Sequence, residues 1–158
     1  MTTITSSQTK DIKKENNDMK KAQESYNNFI KQIQINDIKL TASKIENSDC
    51  NYFPKSAEIS WKDTAKFEME GKKFIIFHRY DVRVKDTPTK EIKAKVSVTF
   101  CVSYESKISM TEELFEPFKV RNLPINTWPY FREYVHDVLG RMGWPPFIMP
   151  VYVPQQKK

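Results

Sequence analysis

The period of the apolar positions changes along this chain, and the change defines its elements. Between Asn126 and Pro150 the period is helical: Phe131, Tyr134, Val135, Val138, Leu139 and Met142 recur at i, i+3, i+4, i+7, i+8 and i+11, one face of a 3.6-residue repeat. Arg132, Glu133, His136, Asp137 and Arg141 occupy the other face, with Asp137 and Arg141 in the favourable acid-before-base spacing. Asn126 or Thr127 can cap the start, and Pro129 suits a first turn. Gly143 supplies a left-handed stop, and Pro145 and Pro146 prevent continuation. Gly140 either weakens the helix or admits another backbone.

Upstream the period is two. From Tyr26, the residues Phe29, Ile33 and Ile35 share one parity, and Ile38, Leu40 and Ala42 the other. That phase flip predicts a bulge at Asn36–Asp37. Residues 47–55 form a loop. A second strand over Ala57–Met69 places Ala57, Ile59, Trp61, Ala65, Phe67 and Met69 on one face, past Asp63. A tight turn at Glu70-Gly71-Lys72 leads to a third strand, with Phe74, Ile76, His78, Tyr80, Val82 and Val84 on one side. After a hairpin loop at 86–90, the fourth strand alternates from Ile92 through Val96, Phe100 and Tyr104 to Ile108. That run would stretch to about 60 Å. A domain of this size has a radius of gyration near ~15 Å, so the strand bends, breaks near Glu105–Ser106, or enters a neighbouring subunit.

Residues 111–123 read as irregular, because Pro117 limits any helix to a turn or two. Leu114, Phe115, Phe118 and Leu123 in this connection are either tucked under the long helix or offered to a partner. Four strands joined by short loops predict antiparallel neighbours, and one apolar sheet face predicts a helix layer on one side. The fold class is α+β: a four-stranded antiparallel sheet followed by a long helix packing on one face.

Composition narrows the rest. A chain of 158 residues suits one domain. Residues 1–25 are polar and lysine-rich, expected as a flexible segment with room for a few helical turns between Lys10 and Tyr26; 26–154 form the domain and 155–158 a short basic tail. Neither a signal peptide nor an apolar run of ~20 residues is present, which points to the cytoplasm. Two cysteines, Cys50 and Cys101, make no disulfide framework and no metal spacing. The net charge of +6 reads as dispersed solubilising lysines or as affinity for acidic partners, nucleic acid included. With three glycines there is no phosphate-cradling loop. His78 reads as a core histidine, and His136, beside Asp137, has no nucleophile at a useful spacing. The chain is therefore read as a non-enzyme without metal or cofactor.

The aromatics carry more. Tyr52, Phe53 and Trp61 lie at a loop–strand junction, Phe115 and Phe118 in the irregular segment, Trp144 and Phe147 after the helix. Together with PYFRE at Pro129–Glu133, the helix through Arg141-Met142-Gly143, the PPFIMP run at Pro145–Pro150, the opening FIKQIQINDIKL and the segment AEISWKDTAKFEM, the order of elements resembles the SecB protein-export chaperone family over roughly Tyr26–Pro154.

The resemblance implies a tetramer built as a dimer of dimers, or a dimer, with Tyr130, Tyr134, His136, Asp137 and Arg141 at the oligomer interface. It implies ATP-independent binding of unfolded polypeptides in apolar grooves, to which Tyr52, Phe53, Ile59 and Trp61 would contribute. Phe115, Phe118 and Phe147 are added on physical grounds, because extended clients place side chains in aromatic pockets. The chain departs from the family in having neither a second helix nor an acidic tail after the apolar run. Lys93, Lys95 and Lys107 also stand where the translocase-motor contact uses acidic residues. Members that guard an aggregation-prone antitoxin therefore fit as well as those serving export. The alternative from another class is a basic nucleic-acid-binding protein using the lysine-bearing sheet face, which predicts aromatics on that same face.

Overall fold

The computed structural model describes residues 6–153, with side chains from Asn16 onward. The elements run α1 (Ser6–Gln32), β1 (Ile33–Asn47), β2 (Ala57–Glu70), β3 (Lys73–Asp86), β4 (Ile92–Ser106), α2 (Glu112–Arg121) and α3 (Leu123–Arg141). All strand pairs are antiparallel, in the order β1-β4-β3-β2. The expected basic tail, 155–158, lies outside the described residues.

The sheet begins at Ile33 rather than at Tyr26. Tyr26, Phe29, Ile30 and Ile33 fit a helical stripe as well as a strand parity, and the helix prevails: α1 runs unbroken through residues 25 and 26, the expected boundary of a flexible segment. Tyr26 and Phe29 anchor its end, both buried. The Tyr26 hydroxyl donates to Asn122 Oδ1 at 2.5 Å.

The phase flip in β1 is a register shift between Ile35 and Asp37, and a second shift follows between Leu40 and Ala42. Each shift turns the next residues over, so Ile35, Leu40, Ser43 and Ile45 all share the face of their β4 partners Tyr104, Phe100, Val98 and Val96. Strand β4 ends at Ser106. The expectation that consecutive strands are neighbours fails at one place. β1 and β2 occupy opposite edges, so residues 48–56 cross over the end of the sheet. That crossing is pinned by Ser48 N–H to Lys93 O at 3.0 Å and by the Tyr52 hydroxyl to Asp86 Oδ1 at 2.7 Å.

The segment 111–123 is helical, not irregular. Thr111 caps α2, its hydroxyl accepting from Leu114 N–H. Pro117 removes one main-chain bond, but Leu114, Phe115 and Phe118 bury a face on either side of it, and that burial outweighs the loss. α3 starts at Leu123, earlier than expected, because Pro124 supplies the N-terminal proline. Pro129 is therefore interior. At the other end Gly143, at φ +73°, closes a Schellman motif: Trp144 N–H donates to Leu139 O and Gly143 N–H to Gly140 O.

The core lies between the inner faces of β3 and β4 and the apolar faces of α2 and α3. Tyr80 stacks on Phe131 at 4.0 Å, and Phe118 meets Tyr104 edge-on at 5.4 Å. The edge strands β1 and β2 are less fully covered: Ile33, Ile38, Ile59 and Phe67 are only partly buried against the core, and Ile35, Leu40, Ile45 and Trp61 are exposed.

Candidate functional site

Among the described residues, strand β2 pairs only with β3, and its other edge is free. Through its register with β3, the side chains of Ala57, Ile59, Trp61, Asp63, Ala65 and Phe67 face the helix layer. Two cavities follow one another along that face. One, of about 160 Å³, is lined by Pro54, Ala57, Ile59, Leu139, Trp144, Pro145, Pro146 and Phe147. The other, of about 680 Å³, lies between Trp61, Asp63, Thr64 and Ala65 on the strand side, Lys119, Val120, Pro124 and Trp128 on the helices, and Pro150–Val153 opposite. From Ala57 to Ala65 this groove runs about 26 Å, at ~3.3 Å per residue, enough for an extended peptide of about eight residues.

The groove is aromatic. The Trp61 and Trp128 rings lie 5.5 Å apart, and Trp128 meets Tyr152 at 5.7 Å. One acidic side chain interrupts the apolar face of β2. Asp63 Oδ2 lies 3.0 Å from Nε2 of the wholly buried His78, whose Nδ1 meets Thr127 Oγ1 at 2.8 Å. Tyr80 joins the same hydroxyl at 2.8 Å, and its burial pushes the phenol well above the ordinary tyrosine value. Lys119, the basic side chain in the groove, is engaged by Glu116 at 2.6 Å. At the crossover end Tyr52 packs edge-on against Trp144 at 5.6 Å. Among the described residues, the buried indole N–H of Trp144 has no acceptor.

The structure gathers some of the expected client-binding residues and separates others. Ile59 and Phe147 line the smaller cavity and Trp61 the larger. Tyr52 is half-buried against Trp144, and Phe53 is 59% exposed on the crossover and lines neither cavity. Phe115 and Phe118 do not belong to it. They are 4% and 1% exposed, Phe115 under Phe67 of β2 and Phe118 against Phe29 and Tyr104. Their presence on a helix rather than a loose connection explains the burial. The sequence reading missed Trp128, three residues before Phe131 on the same helical stripe, and Tyr152. It also passed over Asp63, although an acid at an apolar parity was a visible signal.

The residues expected at an oligomer interface split into two stripes. Tyr130, Tyr134, Asp137 and Arg141 follow one side of α3, with Arg141 Nε on Asp137 at 2.7 Å. The Tyr134 hydroxyl bonds Ser43 Oγ of β1, and Tyr130 packs near Phe100 at 6.3 Å. His136 lies on a different side, its Nδ1 3.2 Å from Phe147 O. Beside the first stripe, Ile35, Leu40 and Ile45 of β1 and Ile125 of α3 are exposed.

The outer sheet face is charged, and part of its charge is paired. Lys39, Lys44, Lys66 and Arg79 pair with Asp37, Glu46, Glu68 and Asp81. The aromatic side chains of the groove lie on the opposite face. Among the described residues no group of His, Cys, Asp or Glu side chains could hold a metal ion, and no helix is long and apolar enough to cross a membrane.

No family model matches the sequence, and no curated protein matches it. Among solved structures, the Mycobacterium tuberculosis Rv1957 SecB-like chaperone, solved in complex with a ChAD peptide from the Rv1956 HigA1 antitoxin, superposes with a TM-score of 0.70. The match covers 80% of this chain and 95% of that one, at 18% identity. The fold is that of a SecB-like chaperone: the four-stranded antiparallel sheet with its helices on one face.

Proposed function

We propose that this protein is an ATP-independent chaperone that holds extended, apolar segments of unfolded polypeptides along β2. The observation that supports the reading is the conjunction of a free strand edge with the Trp61–Trp128–Tyr152 groove beside it. A client strand can pair its main chain with the open edge while alternate side chains enter the aromatic cavities. Tyr52, Phe53, Ile59, Trp61 and Phe147 are the proposed contacts, joined by Trp128. Nothing in this arrangement requires a nucleotide or a reaction step.

The solved neighbour carries a peptide of an antitoxin, which favours a dedicated client of that kind over general export. The exposed apolar strip of Ile35, Leu40, Ile45, Ile125 and Tyr130 supports assembly with further copies, as a dimer or tetramer. The cytoplasm is the proposed setting.

The test is suppression of aggregation of a chemically unfolded client, followed by light scattering without nucleotide. Suppression at near-equimolar protein is expected, with loss in Trp61→Asp. No suppression by the unaltered protein removes the function, and full suppression by the variant removes the site.

A further inference from the structure

The segment after α3 forms the wall of the larger cavity opposite β2. From Pro146 the chain turns back and runs extended along α3, against the helix direction. Its carbonyls are taken by a ladder of side-chain donors one helical turn apart: His136 Nδ1 at 3.2 Å from Phe147 O, Arg132 Nε at 2.9 Å from Met149 O, and Trp128 Nε1 at 2.8 Å from Pro150 O. The spacings agree. Eight helical residues rise about 12 Å, close to the ~10 Å that three extended residues span.

Met149 plugs the core at 1% exposure. The Tyr152 hydroxyl reaches Val120 O at 2.6 Å, and its ring lies on Trp128. Yet Ile148, Val151 and Val153 are more exposed than any other large apolar side chain described, at 74, 70 and 75%. Among the described residues, no main-chain N–H from Phe147 to Val153 donates to another main-chain group. The segment is an apolar peptide, read through its carbonyls by side chains, with no ladder of its own.

We propose that Ile148–Val153 is a tethered stand-in for client. It covers the donors of α3 when no client is present, and an unfolded chain widens the groove by displacing it and accepting hydrogen bonds from Trp128 and Arg132. The proposal rests on the groove reading above and adds its regulation. It also assigns α3 a main-chain recognition role that needs no particular client sequence, because carbonyls are common to all. The apparent affinity for client is then lowered by the fraction of molecules in which the segment is docked.

The test uses the full-length protein. Met149→Ser removes the plug and keeps the chain length. It is expected to bind an unfolded client about tenfold more tightly than the unaltered protein. A synthetic peptide spanning Ile148–Val153 should compete with client on this variant. Because loss of Met149 could loosen the core, a second measurement uses the unaltered protein. The methyl resonance of Met149, buried while the segment is docked, should move to its random-coil position as client saturates the protein. Equal or weaker binding by a folded Met149→Ser variant overturns the proposal. A Met149 methyl resonance unmoved at client saturation overturns it too, and in that case the chaperone reading stands. Failure of both proteins to bind client removes the groove reading and this inference with it.

Discussion

His78 Nε2 lies 3.0 Å from Asp63 Oδ2, and this contact ties the buried centre of the sheet to the open groove. The imidazole is sealed, while the carboxylate side chain keeps 46% of its surface in solvent. A buried imidazole N–H without an acceptor costs about 1–3 kcal/mol. Asp63→Ala is therefore expected to lower stability by about that amount in denaturant titration. Asp63→Asn, which keeps an acceptor oxygen, should lose less. Equal stability of both variants would show that the pair is incidental to the fold.

Two aromatic substitutions separate groove from core. Trp61 is 39% exposed on the edge strand, so Trp61→Asp should lower the melting transition far less than a core charge does, while abolishing holding of client. Phe118 lies between Phe29 and Tyr104. Phe118→Asp places a carboxylate in that core and should cost about 4 kcal/mol or more, enough to unfold a domain of ordinary stability. Circular dichroism melts and client scattering, run on the same samples, distinguish the outcomes.

These two residues also show where the sequence was readable. Strand parity placed Trp61 on the inner face correctly, because a period-two pattern fixes the face wherever one side is buried. It could not show that the edge strand is less fully covered than the centre of the sheet, and that difference is what leaves Trp61 open. Phe118 was misplaced because Pro117 was weighed against a helix without the burial on both sides of it. Tyr26 and Phe29 failed for a related reason: four apolar residues fit two periods, and only their contacts with Asn122 and Phe118 decide. The groove wall supplied by Pro150–Val153 had no local signature, since an extended apolar run after a helix gives no sign of the surface it returns to.

Gly140 lies on the exposed side of α3, beside Arg141. A Cβ added there would meet nothing within 4 Å, and the residue lies inside a regular helix. Gly140→Ala should therefore stabilise the protein by roughly 0.5–1 kcal/mol through helix propensity alone. Close approach of a second subunit's backbone at this position predicts the opposite sign, together with a fall in oligomer mass by light scattering. Urea titration and scattering together decide between the two reasons for a glycine here.

The bond from Tyr52 to Asp86 makes the crossover segment sensitive to pH at both extremes. Hydrogen bonds from Tyr52 and Thr89 hold the Asp86 carboxyl below the ordinary carboxylate value. Its contribution is thus present above about pH 4 and lost as pH falls through the lower folded value. Desolvation, then the bond to Asp86, pushes the Tyr52 phenol up from 10.0 to about 12. Its contribution is complete below the unfolded value of 10.0 and lost as pH rises through about 12. Because Tyr52 packs edge-on against Trp144, release of the crossover should change the tryptophan emission. Emission is expected to be level from about pH 5 to 9 and to shift beyond either end. Asp86→Asn should remove the acid limb, and Tyr52→Phe should remove the alkaline one. An acid shift that persists unchanged in Asp86→Asn would assign it to another carboxylate and detach the crossover from this pair.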